Sequence, residues 1–253
     1  MKIQIISLFP EMFKAVLDQS MMFKAQKIGA VEFELIDLRQ FGLGPRKQVD
    51  DTPYGGGDGM LLMIEPLMKA VEQAKANDPD TLVVLTSPKG QTFNQVMAEK
   101  LARDGQAGQG LTFICGRYEG VDERIMTVVD RMISLGNFVL TGGELPVMTM
   151  VDAVVRLLPG VLGGEQSATI ESFAGGEDIL EFPQYTKPRE YEGMKVPEVL
   201  LSGNHQKIDL WRFEQALITT KKQRPDIFDE YVKKHRDLNK DEQKVMEKVL
   251  RML

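Results

Sequence analysis

Four glycine-punctuated segments hold the residues whose types and spacing point to chemistry: Thr86 to Gly90 (TSPKG), Cys115 to Gly120 (CGRYEG), Leu135 to Pro146 (LGNFVLTGGELP) and Val49 to Met60 (VDDTPYGGGDGM). Glycine lets backbone amides and carbonyls come close to a ligand, and the first three segments each follow a short apolar run. In an open parallel sheet, ligands bind outside the carboxyl ends of the strands, so three such loops are placed to build one pocket. Neither G-x-x-x-x-G-K-[ST] nor G-x-G-x-x-G occurs, which argues against a P-loop nucleotidase or an ordinary dehydrogenase. The single cysteine, Cys115, excludes an internal disulfide, and with only His205 and His235 beside it no zinc set can be assembled. Cys115 itself reads as a buried strand residue.

The elements that must carry these loops alternate. Ile3, Ile5 and Ile6 open a strand that stops at Pro10; Val31–Leu38, Thr81–Thr86, Leu111–Cys115 and Arg131–Leu135 read as further strands. Helical spacing is expected over Pro66–Ala76, Phe93–Leu101, Val121–Val129 and Leu145–Leu158. The fold class expected is therefore α/β, with a mainly parallel sheet covered on both faces. After Pro159, glycines interrupt any period until Pro183, as in a linker. Val196–Leu201, Asn204–Thr220, Pro225–Lys234 and Asp241–Leu253 then read as helices, with Asn204 and Asp241 as N-caps. The expected division is 1–160, a linker 161–183 and a small helical C-terminal domain 184–253.

At 253 residues, with 43% hydrophobic and 27% charged content, the chain has the make-up of a folded globular protein rather than a disordered one. No apolar run approaches the roughly 18 residues that span a bilayer, and the N-terminus lacks a signal-peptide pattern, so a cytoplasmic protein is expected, with no membrane partner. The net charge of −6 hides an asymmetry: Tyr185–Leu253 carries 15 Lys and Arg against 12 Asp and Glu. A polyanion is expected to meet the C-terminal quarter.

Taken together, the Ile5–Phe13 run (IISLFPEMF), VDDTPYGGG, CGRYEGVDER, LTGGELP, LLPGVLG and the Leu200–His205 run (LLSGNH) with Trp211-Arg212 cover almost the whole chain. In these motifs the sequence resembles the bacterial tRNA (guanine-N1)-methyltransferase family, of the knotted SPOUT class. The resemblance implies a SPOUT-type sheet with a deep trefoil knot, S-adenosylmethionine as methyl donor, a homodimer with sites at the subunit interface, and tRNA gripped by the C-terminal helices. The product would be N1-methylguanosine next to the anticodon, position 37. Two alternatives stay open: a related enzyme with another RNA target, and a homologue that binds tRNA or cofactor without turnover.

Guanine N1 carries a proton and attacks a methyl group poorly until a base removes it; the charge that then grows on O6 calls for a fixed donor. The resemblance assigns the base to the linker acid of a Ser-Ala-Thr-x-Asp-Ser-Phe motif. Here the segment from Ser167 to Phe173 reads SATIESF, which makes the acid Glu171, one methylene longer than the family's aspartate. Arg156 maps to the arginine near O6. For the cofactor the resemblance points to Thr86, Ser87, Pro88, Gly116, Tyr118, Glu119, Leu135, Gly136, Asn137, Phe138, Val139, Leu140, Gly142, Gly143 and Pro146, with Glu181 facing its methionine end from the partner subunit. For RNA it points to Arg46 (where relatives carry His), Lys47, Asp50, Ser167, His205 and Arg212, with Lys221, Lys222 and Arg224 as phosphate contacts. Asp50 would orient the guanine or a Mg2+ ion; spacing alone gives it no ligand role, and no metal ligand is assigned.

Overall fold

The computed structural model describes residues 1–164, 170–176, 179–234 and 238–252, and the chain divides into two compact units, Met1–Glu165 and Gln166–Leu253. In the first unit the chain runs β1 (Lys2–Ser7), α1 (Glu11–Leu17), α2 (Ser20–Lys27), β2 (Glu32–Asp37), β3 (Asp50–Asp51), β4 (Leu61–Leu62), α3 (Ile64–Asn77), β5 (Leu82–Thr92), α4 (Gln95–Gln106), β6 (Leu111–Ile114), β7 (Arg131–Ser134) and α5 (Glu144–Val155). Five strands form one sheet in the order β2-β1-β6-β5-β7, and every pairing in it is parallel. The short β3 and β4 make a separate antiparallel pair.

Strand side chains alternate between faces, and both faces are buried. Ile3, Ile5, Phe113 and Ile133 pack with Phe13, Leu101, Val147 and Val154 in one core; Ile6, Ile36, Val83 and Ile114 pack with Leu67, Val71 and Ala74 of α3 in the other. A sheet covered on both sides explains the near-continuous apolar runs. Gln4 is one of the buried polar residues of the sheet: fully buried, it donates through Nε2 to the Ala74 carbonyl at 3.0 Å and to Thr112 Oγ1 at 3.2 Å.

Three expectations are corrected in this unit. Val121–Val129 is no α-helix; only a 3-10 turn forms at Glu123–Thr127. Asp130 draws the chain back to the sheet: its N–H donates to the Val83 carbonyl at 2.9 Å and its Oδ2 accepts from Val83 N at 2.8 Å. Strand β5 does not stop at Thr86 but resumes along β7 at Gln91 after a register shift. Gly90 permits this, since a Cβ there would lie 2.5–2.6 Å from the backbone of Met132 and Ile133. Helices α1 and α2 have no counterpart in the sequence pattern; each buries only two residues, Phe13 and Leu17 in one, Met22 and Ala25 in the other.

The second unit holds β8 (Glu190–Tyr191) paired with β9 (Met194–Lys195), then α6 (Glu198–Leu201), α7 (His205–Gln223), α8 (Pro225–Lys234) and α9 (Lys240–Leu250). Its core gathers Leu217, Phe228, Tyr231, Val245, Met246 and Val249. Asn204 caps α7 by accepting from Lys207 N at 3.1 Å, as expected. The cap of α9 is Asn239, not Asp241: Asn239 Oδ1 accepts from Asp241 N and Glu242 N, and Glu242 reaches back to Asn239 N at 2.9 Å, a reciprocal capping box. Among the described residues no helix is long and apolar enough to cross a membrane.

Candidate functional site

Because β6, β5 and β7 are neighbours and parallel, the loops leaving β6 and β7 meet the irregular stretch of β5 between Thr86 and Gln91. They enclose a cavity of about 380 Å³, within the range of roughly 300–1,000 Å³ typical of small-molecule sites. Thr86, Ser87 and Pro88 line it from β5; Gly116, Tyr118 and Glu119 from the loop after β6; Leu135, Gly136, Phe138, Val139, Leu140, Gly142 and Gly143 from the loop after β7; and Pro146 from the first turn of α5. Of the residues expected around the methyl donor in this unit, only Asn137 is not among the lining residues; it is exposed on the same loop.

Two features make this cavity a built one. Gly143 fits where no side chain could: a Cβ would crowd Thr86 Oγ1 and lie 2.7 Å from Cys115 Cα and 2.8 Å from Gly116 N. Its N–H donates to the Gly116 carbonyl at 2.8 Å, so two walls touch backbone to backbone. Tyr118 holds φ at +58°, a left-handed conformation that is costly for a non-glycine residue and found where surrounding structure enforces it.

Behind the walls stands a carboxylate that sequence reasoning passed over. Glu144, 1% exposed, accepts a hydrogen bond from Ser7 Oγ at 2.8 Å. Its Oε2 lies 2.9 Å from Arg117 Nε as an ion pair, although the N–H is not aimed well enough to form a hydrogen bond. Arg117 also donates through Nη1 to the Thr141 carbonyl at 3.3 Å, and its guanidinium stacks over the Phe9 ring at 4.5 Å. The one available signal was an acid at the first position of the mainly apolar helix α5. Cys115, next to this group, is buried; burial pushes its thiol well above the ordinary value and the Glu144 charge adds to the effect, so an activated thiolate is disfavoured.

The remaining expected residues lie around and beyond the cavity. Arg46 and Lys47 are exposed at the tip of a tight loop closed by mutual backbone bonds between Leu43 and Gln48, and neither lines the cavity. Asp50 pairs with Leu62, and Leu62 N donates to Gly120 O at 3.0 Å, which sets Asp50 one strand from the cavity wall. Among the described residues no three His, Cys, Asp or Glu side chains come together as a metal site. Arg156 is half-buried at the C-cap of α5.

In the second unit Glu171 is half-buried, its carbonyl accepting from Ala174 N at 3.2 Å. Glu181 is also half-buried; its N–H donates to Ser172 Oγ at 2.9 Å and its carboxylate accepts from Gln184. Ser167 lies outside the described residues, as does His235. His205 is exposed at the start of α7, and Arg212 stacks over Phe182 at 4.9 Å while pairing with Asp209 at 3.4 Å. Lys221 is engaged elsewhere: its Nζ donates to the carbonyls of Val249, Leu250 and Met252 at the end of α9. Arg224 pairs with Asp226 at 2.7 Å, and Lys222 is exposed.

Residues 1–230 match the family model described as tRNA (Guanine-1)-methyltransferase TrmD. The chain belongs to this family. Relatives named tRNA (guanine-N(1)-)-methyltransferase include one from Dictyoglomus turgidum, 52% identical over 229 residues and covering 90% of each chain. Another, from Staphylococcus carnosus, is 47% identical over 254 residues, covering 100% of this chain and 99% of its own. Among solved structures, the tRNA (m1G37) methyltransferase from Aquifex aeolicus superposes with a TM-score of 0.72 at 39% identity, covering 94% of this chain and 99% of that one. The mainly parallel α/β architecture is that of the family.

Proposed function

We propose that this chain methylates N1 of a guanine in tRNA, at position 37 beside the anticodon, with S-adenosylmethionine as donor. The observation that carries the reading is the cavity formed by the loops after β6 and β7 and the irregular stretch of β5, in a chain of this family. The cavity fits the donor: Gly142 and Gly143 let the loops after β6 and β7 close on one another backbone to backbone, and Leu135, Phe138, Val139 and Leu140 offer apolar surface to an adenine ring. When bound, S-adenosylmethionine supplies a methyl group on a positively charged sulfur. The loop after β7 would hold the adenine end, with Gly116, Tyr118 and Glu119 across from it.

In this reading Glu171 takes the N1 proton and Arg156 faces the charge that develops on O6, two roles worth about 10²–10⁴-fold and 10²–10³-fold in rate. The longer glutamate performs the same transfer as an aspartate with greater reach. Arg46, Lys47 and Asp50 meet the target nucleotide, and Ser167, His205 and Arg212 contact the tRNA backbone or fold, as do Lys222 and Arg224. The division of labour is a catalytic domain at 1–160, a linker at 161–183 that bears the base, and a tRNA-binding domain at 184–253. The trefoil knot and a Mg2+ ion belong to the same proposal.

The working form is a homodimer in the cytoplasm. Phe9 and Met12 are about two-fifths exposed and Leu145 about half exposed, and Arg117 touches both Phe9 and Met12; an exposed apolar group of this kind suits a second copy. Glu181 would reach the partner's donor.

The test is a methyl-transfer assay on unmodified tRNA with guanosine at position 37, followed by mass mapping of the product. N1-methylguanosine at position 37 is expected. Glu171→Ala should lower transfer by about 10²-fold or more with S-adenosylhomocysteine affinity retained. A methyl group at another position, or wild-type activity in Glu171→Ala, overturns the assignment.

A further inference from the structure

We infer that Glu144 is a positioning residue for the methyl donor, acting from behind the cavity through Ser7 and Arg117. The inference rests on the functional reading above and names a residue that reading leaves without a role. Glu144 is almost wholly buried and does not line the cavity, so it acts on a ligand only through its neighbours. Those neighbours come from separate segments. Ser7 ends β1, and its Oγ, while donating to Glu144, accepts from Phe9 N at 2.9 Å. Arg117 belongs to the cavity loop after β6, and its Nη1 bonds the Thr141 carbonyl of the loop after β7.

The carboxylate therefore ties both walls of the cavity to the end of the inner strand β1. Its local fit is tight: a Cβ at Gly142 would collide with Arg117 Nε and with Glu144 Oε2 at 2.6 Å, and Arg117 and Gly142 bridge through their backbones. Since Nε and Oε2 stand as an ion pair without an aligned hydrogen bond, the charge rather than the shape of Glu144 holds Arg117. A buried charge left without its partner reorganises its surroundings, and here the surroundings are the two loops on which the donor would rest. Glu144→Gln keeps the size of the side chain and an oxygen for Ser7 while removing that charge.

Calorimetric titration of the purified full chain with S-adenosylhomocysteine tests this, alongside KM for S-adenosylmethionine and for tRNA. Glu144→Gln is expected to raise the Kd for S-adenosylhomocysteine about tenfold or more, equivalent to a loss of about 1.4 kcal/mol. The KM for S-adenosylmethionine should rise with it while the KM for tRNA stays within about twofold. A role confined to stability would lower the amount of folded enzyme and its melting temperature but leave the donor KM of the folded fraction unchanged. Folded Glu144→Gln protein with a Kd within twofold of wild type overturns the inference. Should that variant not fold, Ser7→Ala decides: a Kd raised about threefold or more supports it, and a smaller change overturns it. A wild-type chain that takes up neither donor nor product overturns the functional reading itself, and this inference with it.

Discussion

Gly143→Ala adds one methyl group at the point where two cavity walls meet. Gly143 sits at φ −80°, ψ −7°, a conformation open to any residue, so the effect of the substitution is steric alone. The new Cβ would lie 2.7 Å from Cys115 Cα and 2.8 Å from Gly116 N, where carbon contacts ordinarily settle near 3.5–4.0 Å. Relief requires the start of α5 and the loop after β6 to part by roughly 0.7–1 Å, and overpacking of this kind costs about 1–3 kcal/mol. For a unit of this size that corresponds to a melting temperature lower by about 2–12 °C. The same displacement opens the cavity, so the Kd for S-adenosylhomocysteine should rise about 10- to 100-fold, or roughly 1.4–2.8 kcal/mol. Gly163→Ala is the control, because among the described residues a Cβ there meets nothing within 4 Å; it should leave both quantities unchanged. Calorimetry and thermal melts read them together. A Gly143→Ala protein with wild-type affinity and an unaltered melting temperature would refute the reasoning.

Further outcomes follow from other parts of the molecule. Leu217→Ala empties the centre of the helical unit, where Leu217 is fully buried; it should cost about 2–5 kcal/mol and weaken tRNA binding in a filter assay while S-adenosylhomocysteine affinity holds within about twofold. Asn239→Ala removes the capping box of α9 and should lower stability by about 1 kcal/mol, seen as an earlier loss of helical circular dichroism. The Asp122 carboxyl is held below its ordinary value of 3.8, chiefly by the hydrogen bond from the Arg124 side chain. Its contribution to the Glu123–Thr127 turn is thus complete above that value and is lost as the pH falls through the depressed one. An NMR titration of Asp122 should give a midpoint below 3.8; a midpoint at or above it contradicts the pairing.

The parallel sheet and its loops were legible because the runs at Thr81–Thr86, Leu111–Cys115 and Arg131–Leu135 are short, mainly apolar and soon followed by glycine or proline, as a sheet covered on both faces requires. The cavity followed from the same pattern: Thr86 to Pro88, Gly116 to Glu119 and Leu135 to Gly143 sit at the ends of three strands that turn out to be neighbours. What the pattern hid depends on contacts between distant residues. Ser7 and Glu144 are 137 positions apart in the chain, and nothing local in either announces the bond. The apolar spacing of Val121–Val129 suggested a helix, but Asp130 reaches Val83 across the sheet and local preference yields. Lys221 read as a phosphate contact by charge, yet its ammonium closes the end of α9, a use of lysine that sequence cannot distinguish from an exposed one.

The account depends most on the claim that the loops after β6 and β7, with the Thr86–Pro88 stretch of β5, seat a methyl donor. A crystal structure of the full chain soaked with S-adenosylmethionine measures that directly. Donor density between Thr86–Pro88, Gly116–Glu119 and Leu135–Leu140, with the adenine against the loop after β7, is the result predicted. Donor bound at another place on the molecule, or a cavity that remains empty at saturating donor, would contradict it.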